Sequence, residues 1–303
     1  MSGNLPFFKI NELSKIKKEA LSDDIPSWGF DRMKIRNIWN KGVKGEGIKI
    51  GIFDTGFDSG SEISGTRIHT KDCTGGNSIN DDHSKKHGTH IAHIIGAEEN
   101  GIGSFGICPA SELYIAKVID TENKLKNEYL ISALEWAIQE ELDIINMSIQ
   151  FKWCSLEVHK LIIKAIENNI IILCAAGNSS GSLYESRVFY PGAYQETIAI
   201  GAMTQRGMIA SFSSKGQLVD FVAPGVGIET LVATLNGTSV ACPFITGIVA
   251  LYICYKGKKI LSEALFNQYA IKKVLIENSS VSDLISPRLG GYGEITTKNM
   301  FNL

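Results

Sequence analysis

One rhythm constrains this chain more than any other feature: short apolar runs rich in β-branched residues alternate with longer stretches of helical periodicity. Strand candidates are 48–54 (IKIGIFD), 112–120 (ELYIAKVID), 143–149 (DIINMSI), 170–177 (IIILCAAG) and 197–203 (TIAIGAM). Helical periodicity covers 88–97, 127–140 and 155–168, and two more helices are expected to begin near Ser239 and Asn267. Strands that are apolar throughout, without alternation, belong to a parallel sheet whose faces are both covered by crossover helices. The expectation is an α/β three-layer fold with a central, mostly parallel sheet flanked by helices.

A chain of 303 residues can form one such unit around a single large core. The main shift in composition falls near Asp24, so the expected division is an amino-terminal extension, 1–24, followed by one domain, 25–303. A formal charge of −2 lacks the concentrated positive face that a nucleic-acid partner requires. No apolar run approaches the roughly 20 residues of a membrane span, so no membrane partner is expected. The amino terminus, MSGNLPFFKINELSKIKKEALSDD, has no uninterrupted apolar segment of the signal-peptide kind. Cys73, Cys108, Cys154, Cys174, Cys242 and Cys254 form no CxxC pair and read as reduced, mostly buried thiols of a cytoplasmic protein.

In open α/β sheets ligands bind beyond the carboxyl ends of the strands. The first strand ends in Asp54-Thr55-Gly56, and a buried strand later ends in Ala175-Ala-Gly-Asn178. A histidine opens a helix at His87-Gly-Thr-His90, and Ser239 opens a long apolar helix in Asn236-Gly-Thr-Ser239. A serine hydroxyl becomes a nucleophile when a neutral imidazole takes its proton, and a carboxylate orients and stabilises the resulting imidazolium. Asp54, His87 and Ser239 supply that set for peptide-bond hydrolysis. Asn178 and the Ser239 N–H supply two donors for the oxyanion of the tetrahedral intermediate.

These four blocks, DTG at 54–56, HGTH at 87–90, AAGN at 175–178 and GTSVACP at 237–243, resemble the signature blocks of subtilisin-like serine proteases. Their order, Asp then His then Ser, is also that family's order. SFSS (211–214), VAPGV (222–226) and GGYG (290–293) extend the resemblance from about Ile25 to the end. It implies a serine endopeptidase acting on a peptide or protein substrate through an acyl-enzyme, with no cofactor in the chemistry. Its short leader resembles that of intracellular subtilisins, and LPFFKI (5–10) is a candidate inhibitory strand laid along the substrate edge. A structural calcium is implied near Asn100, although Ser61-Glu-Ile-Ser64 replaces the usual aspartate ligand segment.

Two other readings of the motifs fail on their own chemistry. Four of the six histidines lie between His83 and His93, but no HExxH is present. Successive imidazoles at 87, 90 and 93 each turn by about 300° around a helix, so they fan apart instead of converging on zinc. Gly101-Ile-Gly103-Ser-Phe-Gly106 matches GxGxxG but follows a helix, without the strand-turn-helix context of a dinucleotide site.

Departures from the family pattern concern specificity. Glycines that usually flank the histidine block are Lys86 and His93 here; Lys86 is expected to depress the His87 pKa, and His93 must find a partner. The resemblance sets Ser148, Ile149, Gln150 and Phe151 as one wall of the primary pocket and Phe189 at its base, which predicts a small residue before the scissile bond. The opposite edge carries Lys124, Leu125 and Lys126, whose lysines are expected to favour acidic residues upstream of the cut. The expected activity is processing of one peptide or protein; alternatives are general intracellular degradation, or peptide binding without catalysis.

Overall fold

A computed structural model of the chain describes residues 27–58, 63–101, 104–179, 187–230, 233–257 and 267–303. Two short helices, α1 (Trp28–Arg32) and α2 (Ile35–Trp39), precede the first strand, β1 (Lys49–Asp54), and β2 (Ile68–Asp72) follows it. The chain continues through α3 (His87–Gly96), β3 (Glu112–Lys117), α4 (Asn127–Gln139), β4 (Ile144–Met147), α5 (Leu156–Glu167) and β5 (Ile171–Ala175). Next come β6 (Ile198–Met203), β7 (Phe221–Pro224), a separate hairpin of β8 (Val226–Glu229) and β9 (Thr234–Asn236), and the long α6 (Thr238–Lys256). After α7 (Gln268–Glu277), β10 (Ser279–Ser280) and β11 (Glu294–Ile295) complete the main sheet.

Strand order in that sheet is β10-β11-β7-β6-β5-β4-β1-β3-β2, and every pair is parallel except β10 with β11. The chain leaves β1 towards β3 on one side and then passes to β4 on the other. The crevice therefore opens at the carboxyl end of β1, where Asp54 sits. Alternate residues of β1 serve different layers. Ile50 and Ile52 pack with Ile91 and Ile95 of α3 and Phe244 and Ile248 of α6, whereas Phe53 packs with Leu130 and Leu134 of α4 and Ile162 of α5. This is the three-layer arrangement expected from the apolar strands.

The α6 helix corrects one expectation. Its 19 residues are long and apolar enough to cross a membrane by length and composition. Ser239, Pro243, Thr246 and Gly247 interrupt its apolar run, so the sequence shows no unbroken stretch of that length. Within the protein it packs against β4, β5, β6 and β7, and 78% of its apolar window is buried. The cysteines are all free: Cys108, Cys174 and Cys242 are buried, Cys73 and Cys254 are half-buried, and Cys154 alone among them is exposed.

Candidate active site

Close packing of two turns brings the first elements of the site together. A Cβ at Gly88 would collide with the Gly56 carbonyl oxygen, and one at Gly56 would collide with that of Ile79. Only glycine lets the first turn of α3 lie this close to the end of β1. The Gly88 N–H, one of the helix's unpaired amino-terminal donors, reaches the Thr55 hydroxyl at 2.8 Å. His87 is thereby held beside Asp54: its Nδ1 donates to Asp54 Oδ1 at 2.7 Å. The Thr55 N–H donates to the same oxygen at 2.8 Å, and the Asp54 side chain is fully buried.

On the far side of the imidazole, His87 Nε2 lies 3.0 Å from Ser239 Oγ. Ser239 occupies the second position of α6, so its N–H has no helical acceptor and is free to face a ligand. Pro243 explains a further contact. It has no N–H to give to the carbonyl four residues earlier, so the Ser239 carbonyl accepts instead from Ser148 Oγ at 2.7 Å. Ser148 is in turn held by Asn146 Nδ2 at 2.9 Å, and Asn146 by the Thr246 hydroxyl at 2.9 Å. This buried chain fixes the backbone of Ser239 to the centre of the sheet.

Asn178 follows β5. Its Oδ1 accepts from Thr238 N at 3.0 Å and Thr238 Oγ1 at 3.1 Å, which fixes the orientation of the amide. A Cβ placed on Gly237 would stand 2.9 Å from Ser239 Oγ and 3.6 Å from Asn178 Nδ2, so that amide nitrogen and the serine face one small space. An imidazole poised between a buried carboxylate and a serine, next to amide donors, can generate an alkoxide nucleophile and receive the oxyanion it creates.

Burial opposes charge on His87. The Asp54 carboxylate, through both its charge and its hydrogen bond, and then the Asp81 carboxylate outweigh that penalty, so the imidazole pKa is raised. Lys85 acts in the depressing sense. Lys86, expected to do so, turns away: its Nζ donates to the Asp81 carbonyl and lies 3.2 Å from Asp58 Oδ2. Its backbone is left-handed, at φ 49°, which accounts for the comfort of glycine at this place.

The remaining histidines separate. His90 Nδ1 pairs with the Thr230 hydroxyl at 2.9 Å, and burial pushes its pKa down to about 4. His93 is buried, its pKa pushed down to about 3, and both its ring nitrogens lack a hydrogen-bond partner among the described residues. The partner expected for His93 is therefore absent among the described residues. Among the described residues no three His, Cys, Asp or Glu side chains group as a metal site would demand.

A cleft of about 280 Å³ adjoins His87 and is lined in part by Leu125, Ser148, Ile149 and Gln150, and by Ile119 and Asn123. His83 also lines it, with its ring 6.4 Å from that of His87. Phe151 departs from the expected wall. Its backbone pairs with Tyr190, and its ring stacks on that tyrosine against the α4 and α5 layer. Phe189 instead lies directly on Gly177, where an added Cβ would strike its ring, and Gln150 Oε1 accepts from the Asn178 N–H at 3.0 Å. The two edge lysines are already paired, Lys124 with Glu122 and Lys126 with Glu128, so the expected positive edge is neutralised.

Calcium at Asn100 receives little from its surroundings. Glu98 is bound to Arg67 at 2.9 Å and Glu99 to Arg36, so both neighbouring acids are committed. Ile102 and Gly103 of that loop, and residues 59–62 of the other ligand segment, lie outside the described residues. LPFFKI (5–10) lies outside them too.

A parallel sheet with Asp54, His87 and Ser239 in hydrogen-bonded succession at its carboxyl edge defines a serine hydrolase. Residues 45–293 match the subtilase family of S8 peptidases. Similar proteins include a subtilisin of Bacillus pumilus, 35% identical over 75% of this chain and 84% of that protein. An intracellular serine protease of Paenibacillus polymyxa is 35% identical over 78% of this chain and 75% of its own length. The major intracellular serine protease of Bacillus subtilis is 32% identical, with 82% of each chain covered. The chain belongs to the subtilase family and is a subtilisin-type serine endopeptidase.

Proposed function

We propose that Ser239, His87, Asp54 and Asn178 carry the hydrolysis, and that the enzyme processes a specific peptide or protein with a small residue before the scissile bond. Ser239 Oγ attacks the carbonyl carbon while His87 Nε2 takes its proton; Asp54 stabilises the imidazolium. Asn178 Nδ2 and the Ser239 N–H receive the oxyanion. The imidazolium then protonates the leaving amine, and water releases the acyl group by the reverse sequence. The raised His87 pKa fits a base that must hold its proton between these two steps.

The observation that carries the narrow specificity is the ring of Phe189 on Gly177, with the Gln150 side chain bonded to the Asn178 N–H beside it. Both occupy space next to the oxyanion amide that a long side chain of the substrate would need. Kinship with proteins named intracellular proteases, together with six free cysteines, supports a cytoplasmic setting. Residues 1–24 are proposed as an inhibitory extension, and a chain lacking residues 1–20 should be the more active one. Calcium near Asn100 remains outside this chemistry. A fluorogenic panel varied only at the residue before the cut tests specificity: alanine and serine should be preferred, and equal cleavage after phenylalanine would refute it. Cleavage of unfolded casein at many sites would favour general degradation.

A further inference from the structure

The loop before α3 carries a carboxylate that the reaction described above does not use. Asp81 is fully buried. Its Oδ2 accepts from the Thr89 N–H and from the Thr89 hydroxyl, each at 2.9 Å, while Oδ1 has no hydrogen-bond partner among the described residues. The residue at the amino-terminal cap of α3, Lys86, gives the helix no side-chain cap. Two side chains from elsewhere do that work: Thr55, adjacent to Asp54, holds the second N–H, and Asp81 holds the third. The helix bearing the base is thus anchored at one point to the catalytic strand and at another to a second buried acid.

We infer that Asp81 is a positioning residue for His87, holding its helix and adding a second buried negative charge that favours the imidazolium. Among the described residues, charged groups face Asp81 and His87 from three sides. On its own loop, Asp82 is paired with the buried Lys117 of β3, and that lysine also holds the Asn80 carbonyl at 2.7 Å. His83 lies beyond it, near the His87 ring. From the turn after β1, Asp58 accepts the Asp81 N–H at 3.1 Å and faces Lys86, and Asp54 acts on Asp81 through its charge. From α3, Thr89 donates twice, while Lys85 acts on His87 in the opposite sense and His90 lies one turn on.

Burial raises the Asp81 carboxyl pKa, while the Thr89 N–H and hydroxyl pull it down without cancelling the rise. Its charge is therefore lost on acidification earlier than that of an ordinary aspartate. Removing the charge lowers the His87 pKa. In Asp81→Asn, which keeps an acceptor for Thr89, the acid limb of kcat/KM should move to lower pH by about half a unit or more, and its plateau should fall about threefold or more. A merely structural role would lower the plateau and the Tm and leave the limb in place.

The kinetic arm rests on the protease reading; NMR titration of the His87 ring in the full chain does not. A His87 midpoint at least about 0.3 unit lower in Asp81→Asn than in wild type supports the inference even without turnover, and coincident midpoints overturn it. If Asp81→Asn does not fold, the wild-type chain decides. The His87 resonances should show a second inflection where the Asp81 carboxyl carbon titrates, and a single His87 step blind to that titration overturns the inference.

Discussion

On the proposed specificity, replacing Phe189 with alanine should open the primary pocket to an aromatic side chain. The ring lies on Gly177, one residue before Asn178, with the Arg187 guanidinium 5.4 Å from its centroid. A phenylalanine of the substrate entering the vacated space buries about 150–250 Å², worth about 4–6 kcal/mol at ~25 cal/mol per Å² if burial were complete. The cleft is open, which leaves about half of that area wet. Immobilising the side chain costs about 1 kcal/mol more. The net gain of about 1–2 kcal/mol corresponds to roughly 5- to 30-fold in kcat/KM for phenylalanine over alanine, relative to wild type. Two fluorogenic peptides differing only at that residue measure the ratio, and a thermal melt checks that Phe189→Ala, destabilised by about 1–3 kcal/mol, is still folded. A folded variant whose phenylalanine-to-alanine ratio moves less than about twofold would show that Phe189 does not set the pocket depth.

Other consequences can be read from single side chains. If Asn178 donates to the oxyanion as proposed, Asn178→Ala should lower kcat by about 10²–10³ with little change in KM, measured under saturating substrate. His93 has a folded pKa near 3, below the ordinary 6.5, so its stabilising neutral form is retained above pH 6.5 and stability falls as pH drops from there towards 3. His93→Leu should therefore remove about 2 kcal/mol of the stability lost between pH 7 and pH 5, read by urea unfolding at both values. Lys86→Gly relieves a left-handed backbone at the loss of a half-exposed ion pair with Asp58 and of the hydrogen bond to the Asp81 carbonyl; the effects nearly offset, and a net change within about 1 kcal/mol in the same assay is expected.

The core strands were legible because each is apolar on both faces, as in the IIILCA and TIAIGAM runs. The edge strand Ile68–Asp72 was not, since His69, Thr70, Lys71 and Asp72 have one side open to water and leave no apolar run. The hairpin of β8 and β9, of four and three residues, is too short to leave a periodic signal. Within the site, Asp54, His87, Asn178 and Ser239 stand at strand ends and helix starts, where position along the chain already implies position in space. What was missed depends on the path of a loop or the turn of a side chain. Lys86 faces Asp58 while Lys85 acts on the base, Phe151 rotates onto Tyr190, His83 enters the cleft, and Asp81 reaches Thr89 across eight residues. Pro243 was visible in the sequence, but that its missing N–H is answered by Ser148 required both elements in place.

The central claim is that His87 and Asp54 make Ser239 a nucleophile. Treatment of the full chain, and of a chain lacking residues 1–20, with a fluorophosphonate probe tests it most directly, with the labelled residue located by peptide mass spectrometry. The account predicts one adduct, on Ser239, absent in Ser239→Ala and strongly slowed in His87→Ala. Labelling that persists in Ser239→Ala, or no labelling of either folded chain, would contradict it.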